Sequence, residues 1–350
     1  MAVTVKQIAE RAGVSHPVVS KVLYGGTSTV NVSQKRREQI LAVAKELGFT
    51  PDWRARAFRE KRTRTVGLLS IDRFYAQQMS TRVLAGLVHH LGERDYQLAF
   101  ATRSGEKGWK EIIGDRRFDG CLIDYYIDEA EVEAAERSGV PLALLNANPV
   151  LAKRLGQFPL VGCDYAALGE AAARELVALG ADRLWLAVDR AEDRATDDGP
   201  YWHVAARAEG VRRAGEAAGV PVEVKVWSET LEAVEAHAKG GRPGVIPGGP
   251  FRADLMLGAL ARRGLRLPED VLMISAGSSG NPQVAFVPEP FERMTEYAVA
   301  ALMRLMRPDD QVASPNGEPV PGPGGTLLLS PGAVCHAPSS TGELPPDVKV

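Results

Sequence analysis

The chain has 350 residues, room for two or three domains at about 150 residues each, and its 45% hydrophobic and 25% charged residues argue against long disorder, collagen or coiled coil. No apolar run reaches the ~18 residues of a membrane span, and the opening MAVTVKQIAERAG lacks an apolar h-region, so neither a transmembrane helix nor a secretory signal is expected. The net charge of −2 is unevenly spread: residues 1–64 carry 13 Lys/Arg against 5 Asp/Glu, a balance of +8, and the remainder carries 29 against 39, a balance of −10, so a polyanion-binding head on an acidic body is indicated.

Thr4 followed three residues later by Gln7 is a capping-box pattern. Val5, Ile8, Ala9 and Ala12 then form one apolar helical stripe, closed by Gly13. Ser15 is the expected N-cap of a second helix, with Pro17 in its first turn and Val19, Val22 and Leu23 facing inward. Ser33 caps a third helix with apolar Ile40, Ala44 and Leu47, ended by Gly48. Two short helices joined by Gly-Val-Ser, with a third completing the core, make a helix-turn-helix arrangement. The second helix is expected to leave His16, Pro17, Ser20 and Lys21 on the face away from the core, at its N-terminal end. His16 and Lys21 have donors for base edges, and Ser20 and the helix N-terminus suit phosphate. The alternative is a three-helix domain with a merely charged surface. Thr50-Pro51 reads as an N-cap and Pro at N1, opening a short Arg-rich hinge helix over 52–59 that is marginal alone in water.

From residue 64 the pattern alternates. Strands are predicted at Thr65–Ile71, Tyr96–Thr102, Cys121–Asp124, Pro141–Leu145, Leu160–Cys163, Leu184–Val188 and Val222–Trp227. Helices are predicted at Gln77–Arg94, Glu129–Ser138, Ala166–Leu179 and Trp202–Ala218. This alternation implies βαβ units, parallel doubly wound sheets and two lobes, with a ligand crevice between them at the strand carboxyl ends. Gln311–Gly325, with four prolines and four glycines, reads as an exposed loop, Thr326–Leu329 as a further strand, and Pro338–Val350 as a polar tail.

The stretch VTVKQIAERAGVSHPVVSKVL…VSQKRREQILAVAKELGFTPDWRARAF resembles the head of LacI/GalR (lactose-repressor/galactose-repressor) transcription regulators, nearly continuously over residues 3–60. TRTVGLLSID, FDGCLID, SGVPLALLN, VGCDYAALGEAAARELVALGADRLWL, RAEGVRRAGEAAGV and GLRLPEDVLMIS resemble, in order, the periplasmic-binding-protein-like core of that family. The resemblance implies that the second helix enters the major groove, with His16, Pro17 and Lys21 facing bases and Thr4, Ser15, Ser20 and Asn31 contacting the backbone. Ala55 and Phe58 match the hinge residues placed in the minor groove, where Phe58 is suited to wedge a base step. Asp164 and Arg207 match an effector-facing carboxylate and guanidinium, and Phe74 and Tyr75 match an aromatic pair at the first crevice loop. Trp202 and His203 lie about one helical turn before Arg207 and join the candidate site.

The sequence also departs from the family. Lys21 stands where Arg is common, which forgoes bidentate reading, and the loop Gly25–Asn31 is about two residues longer than the family's commonest form. Gly249-Pro250 and Ala276-Gly277-Ser278-Ser279 occupy segments that carry acids in the family, and Asp254 matches only with a shift. A sugar held by those acids is therefore not expected.

The organisation expected is an all-α helix-turn-helix head (1–49), a hinge (50–63), an α/β two-lobed core (64–340) and a tail (341–350). Lobe 1 is assigned about 64–160 and 288–308, and lobe 2 about 161–287 and 311–340. The function expected is a cytoplasmic repressor that binds a palindromic operator in double-stranded DNA as a homodimer or tetramer, under control of a small effector such as a sugar or nucleoside. The rival readings are a solute sensor acting through a protein partner and a sugar- or nucleoside-acting enzyme. No Walker loop, HExxH or GxSxG occurs. The histidines at 16, 89, 90, 203, 237 and 336 are scattered, and adjacent His89 and His90 should point apart on a helix. The acidic stretch Asp189–Asp198 lacks EF-hand spacing. Cys121, Cys163 and Cys335 show no zinc or redox spacing and suit a reducing compartment. No catalytic residue, cofactor or metal is expected.

Overall fold

A computed structural model of the chain describes residues 3–24, 31–50, 57, 61–70, 78–102, 111, 113, 117–124, 129–150, 153, 156–189, 202–248, 250–279, 281–310, 312–337 and 339–341. The chain divides into two units, Met1–Thr65 with Arg117–Asp119, and Val66–Arg116 with Gly120–Val350.

In the first unit, α1 (Val5–Ala12), α2 (His16–Tyr24) and α3 (Gln34–Glu46) form the head. The capping box of α1 is complete: the Gln7 N–H donates to Thr4 Oγ1 at 3.3 Å, and the Thr4 N–H donates to Gln7 Oε1 at 2.8 Å. Gly13 ends α1 at φ 64°, a left-handed conformation that suits a residue without Cβ. Ile8, Ala9, Ala12, Val19, Val22, Ile40 and Ala44 form the head's core, drawn from all three helices. The Ser33 hydroxyl accepts the Arg36 N–H at 3.4 Å and starts α3. Beyond the hinge, the Asp119 carboxylate takes the Thr63 N–H at 2.6 Å, the Thr63 hydroxyl at 2.9 Å and the Arg64 N–H at 2.9 Å.

The second unit holds two sheets. The first contains β1 (Thr65–Ser70), β2 (Gln97–Thr102), β3 (Gly120–Asp124), β4 (Leu142–Leu145), β5 (Leu160–Cys163) and β11 (Thr326–Leu329), in the order β11-β5-β4-β3-β1-β2. It packs α10 (Phe291–Met306), and α10 in turn packs α4 (Gln78–Gly92); α5 (Glu129–Ser138) links β3 to β4 in sequence. The second contains β6 (Arg183–Val188), β7 (Val222–Val226), β8 (Pro243–Pro247), β9 (Leu272–Ser275) and β10 (Ala285–Phe286), in the order β10-β9-β8-β6-β7. The pairings β1–β3, β3–β4, β4–β5, β5–β11, β6–β7, β6–β8, β8–β9 and β9–β10 are parallel.

Strand β6 shows why these runs are apolar throughout. Leu184, Leu186 and Val188 face one core, while Trp185 and Ala187 face another shared with Leu231, Val234, Met256 and Leu260. The first face packs α6 (Tyr165–Ala178) and α7 (Trp202–Ala218), and the second packs α8 (Trp227–His237) and α9 (Pro250–Arg262). Cys121 and Cys163 are buried free thiols, Cys121 pushed up to about 12 by burial, and Cys335 is an exposed thiol.

The lobe boundaries require correction. Residues 161–163 and Thr326–Leu329, assigned to lobe 2, pair within the first sheet, because β5 joins β4 and β11 joins β5. The chain returns to the second sheet only near its end. Cys335 bridges Phe286, and the Ser339 hydroxyl donates to the Met273 carbonyl at 2.9 Å while accepting the Ala285 N–H at 2.8 Å. Ser339 and Ser340, within the stretch Pro338–Val350 read as polar, are buried. The loop 312–325 is irregular as expected, but Pro315 and Val320 are buried.

Helices α6 and α7 touch backbone to backbone. A β-carbon at Gly169 would overlap the Arg207 carbonyl, and one at Gly210 would overlap the Ala166 carbonyl and lie 2.8 Å from the Glu170 nitrogen. Helix propensity alone favours Gly→Ala by about 1 kcal/mol. Gly210→Ala is nevertheless expected to destabilise the protein by about 1–3 kcal/mol through overpacking. Gly258→Ala in α9, whose nearest neighbour is the end of the Arg262 side chain at 3.5 Å, should stabilise by about 0.5–1 kcal/mol. Urea unfolding of both variants checks the opposite signs.

Candidate nucleic-acid interface and effector site

In the head, His16 and Pro17 are exposed in the first turn of α2, Ser15 is exposed before it, and Lys21 is half-buried one turn later. The first turn closes through the Val18 and Val19 N–H groups onto the Ser15 carbonyl at 3.0 and 3.3 Å. Thr4 is exposed at the start of α1, and Asn31 is exposed ahead of the Ser33 cap. Ser20 is a correction. It is 8% exposed and sits beside Val19 on the core side of α2, because positions 19 and 20 are only about 100° apart on a helix. The spacing from His16 did not distinguish the flank of the core from the free face. Ala55 and Phe58 lie outside the described residues, as do Phe74 and Tyr75.

In the body, Arg207 is the centre of a buried polar network. Its guanidinium carbon lies 4.4 Å from the centroid of the Tyr165 ring, a cation–π geometry. Its Nη2 is 3.7 Å from Glu289 Oε1. The second Glu289 oxygen accepts the Ser278 N–H at 2.6 Å. On the other side, Asn146 donates from Nδ2 to the Tyr165 hydroxyl at 2.7 Å and accepts the Cys163 N–H at 3.3 Å. Asn146 holds φ 53° just after β4, and Tyr165 opens α6 directly after β5. The network thus runs from the first sheet to elements of the second. Among the described residues, Arg207 and Glu289 are the only buried Arg, Lys, Asp or Glu.

Desolvation governs the titration of these groups. Burial raises the Glu289 carboxyl above the usual carboxylate range, opposed by Arg207 and the Ser278 N–H. Burial likewise holds the Tyr165 phenol well above its ordinary value. The His203 imidazole is held well below its ordinary value by burial and by the Arg207 cation, so it is neutral near pH 7. Buried Trp202 packs its ring edge-on to Tyr165 at 5.3 Å. Among the described residues, Arg207 Nε and Nη1 and Trp202 Nε1 are buried polar atoms with no hydrogen-bond partner, while the Ser278 hydroxyl faces the Glu289 carboxylate and helps to hold its charge.

Arg207 and Trp202 both pack on the Tyr165 ring. Asp164 also serves as the N-cap of α6, and its Oδ1 accepts the Ala167 N–H at 2.9 Å. Asp254 lies at the surface, accepting a bond from Asn281 at 2.9 Å. Glu289 was missed. Its signal was a lone acid between two prolines, bracketed by Val284–Val287 and Phe291 in an otherwise apolar stretch. His89 and His90 do not diverge as adjacent helical residues were expected to. His89 Nε2 and His90 Nδ1 lie 3.7 and 3.6 Å from the two Glu93 oxygens, since Glu93 is four and three residues on. These ligand-type atoms lie within 4.8 Å of one another, with Arg94 3.5 Å from the same carboxylate.

Residues 4–52 match the family described as bacterial regulatory proteins, lacI family, and residues 173–323 match a periplasmic binding protein-like domain. The chain thus carries a lacI-family helix-turn-helix domain and a periplasmic binding protein-like domain. It is a helix-turn-helix transcriptional regulator. It is similar to the HTH-type transcriptional regulator CelR of Thermobifida fusca, at 27% identity over 341 residues, covering 91% of this chain and 94% of that protein. It is also similar to the sucrose operon repressor of Klebsiella pneumoniae, at 45% identity over 129 residues, covering 35% and 37%. The lac repressor dimer bound to operator and the anti-inducer ONPF has the same fold, with TM-score 0.74, 18% identity and coverage of 97% of this chain and 99% of that one. The CelR–cellobiose complex superposes with TM-score 0.61 at 23% identity, covering 97% and 100%. Among the described residues, no helix is long and apolar enough to cross a membrane.

The geometry around Tyr165 makes a stability prediction for the periplasmic-binding-protein-like body. Tyr165→Phe removes the acceptor of the Asn146 amide and leaves a buried donor unpaired, at a cost of about 1–3 kcal/mol. Tyr165→Ala also removes the ring beneath Arg207 and should cost about 3–5 kcal/mol. Denaturant unfolding of the two variants checks the order.

Proposed function

We propose that the protein is a cytoplasmic repressor that binds a palindromic operator as a homodimer and acts by binding, without catalysis. The observation that carries this reading is the exposed first turn of α2 in a three-helix unit whose segment has a charge of +8. His16, Pro17 and Lys21 read base edges in the major groove, and Thr4, Ser15 and Asn31 hold phosphates. Buried Ser20 serves the head's packing. One head reads one half-site, so a symmetric pair of chains matches a palindrome. The hinge helices, with Ala55 and Phe58, order on the DNA and enter the central minor groove.

The effector site is the region around Arg207, Trp202 and Ser278. An unpaired buried polar group costs about 1–3 kcal/mol, and three such donors in one network suit a small molecule rich in acceptors, such as a sugar. CelR in complex with cellobiose is consistent with that class. Asp164 contributes through its second oxygen, and Phe74 and Tyr75 supply an aromatic wall. Effector binding alters DNA affinity by favouring one of two lobe arrangements.

Selection of bound sequences from random duplex DNA with the full chain tests the reading. A palindrome should emerge, bound with an affinity that falls about 10³–10⁵-fold between 50 and 200 mM salt if 6–10 phosphates are touched. Lys21→Ala should lower discrimination at one base position by about 1–3 kcal/mol, whereas Lys61→Ala should weaken all sequences alike. A monomer that binds no duplex at low salt, with or without metabolites, would favour a solute sensor acting through a protein.

A further inference from the structure

The second-lobe segments that carry acids in this family, around Gly249-Pro250 and Ala276–Ser279, have none here. The structure supplies an acid from elsewhere. Glu289 reaches Arg207 from the passage between β10 and α10, held by the N–H of Ser278, a residue of the acid-free segment itself. We propose that Glu289 is a specificity-determining residue of this site: it cancels the charge of Arg207 without consuming its donors, so the site takes an uncharged, acceptor-bearing molecule and rejects carboxylates and phosphates. The inference rests on the reading of the Arg207 region as the effector site.

Two features carry it. The 3.7 Å separation of Arg207 Nη2 from Glu289 Oε1 is an ion-pair distance and too long for a hydrogen bond. Arg207 Nε and Nη1 are left without partners, as is Trp202 Nε1. The guanidinium is thus neutralised but unsaturated. A neutral ligand with hydroxyl or ether oxygens takes these donors and leaves the pair intact. An anion binding the same donors places its charge close to Glu289 in a buried setting, where like charges repel strongly. A ligand carboxylate or phosphate would need Glu289 to leave or to accept a proton.

Calorimetric titration with D-gluconate and with inorganic phosphate, against D-sorbitol as the neutral counterpart of gluconate, tests the proposal on the full chain. Wild type is expected to show no saturable anion binding to 10 mM. Glu289→Gln keeps an acceptor for the Ser278 N–H and uncovers Arg207. It should bind at least one of the two anions at least tenfold more tightly than wild type, and Glu289→Gln/Arg207→Met should lose that gain. Glu289→Asp retains the charge and preserves folding if the uncovered arginine does not, and it should remain closed to both anions. The proposal is overturned by anion binding to wild type that Arg207→Met abolishes, by a folded Glu289→Gln that gains nothing, or by anion binding to Glu289→Asp. The underlying site reading fails separately, if Arg207→Met leaves the DNA response to an active metabolite from a panel unchanged.

Discussion

The closeness of helices α6 and α7 fixes the centre of the body. Gly169 lies against the Arg207 carbonyl and Gly210 against the Ala166 carbonyl, with no room for a side chain at either crossing point. That approach lets Tyr165, at the first position of α6, lie beneath the guanidinium of Arg207 on α7. A wider crossing, at the usual ~8–10 Å between axes, would carry the arginine off the ring and away from Glu289. Small residues at one contact thus decide where the only buried Arg/Glu pair of the described chain is formed.

A pair of this kind does not persist as a source of stability. Two charges removed from water cost several kcal/mol each, and well-packed apolar residues of similar volume often do as well or better. The Arg207–Glu289 contact is longer than a hydrogen bond and leaves two guanidinium nitrogens unsatisfied, so its geometry is poor for stabilisation. It is better suited to a site that must present donors without presenting net charge. The neutral imidazole of His203 and the raised Tyr165 phenol follow from the same exclusion of water.

Legibility of the sequence followed the range of the interactions concerned. The capping box at Thr4 and Gln7, the turn at Gly13 and the stripe through Ile8, Ala9 and Ala12 are settled within about ten residues, and all are read from the chain directly. Strands such as Leu160–Cys163 and helices such as Trp202–Ala218 have the expected bounds, because their apolar runs are continuous and bracketed by turns. The lobe to which Thr326–Leu329 belongs is not written locally: TLLL fits the edge of either sheet, and its pairing with β5 is a contact across more than 160 residues of chain. Ser20 failed for a geometric reason, since one step of about 100° separates the flank of a helix from its core. Glu289 has no periodicity to betray it and acquires meaning only when the fold brings α7 beneath it.

The network's path across the body sets a condition on any change of lobe arrangement. Asn146 follows β4 in the first sheet, Tyr165 opens the helix that leaves that sheet, Arg207 and Ser278 belong to elements of the second, and Glu289 lies on the return passage. Movement that separates Arg207 from Glu289 would leave two buried charges uncompensated, and it is opposed for that reason although the contact itself adds little to stability. Asn146 is tied to the β5 side by three bonds, its own N–H to the Val161 carbonyl at 2.7 Å, the Cys163 N–H to its Oδ1 at 3.3 Å and its Nδ2 to the Tyr165 hydroxyl at 2.7 Å, so it moves with Tyr165. A ligand taken up at the free donors of Arg207, as proposed above, would bias the lobes only as far as its contacts differ between their arrangements.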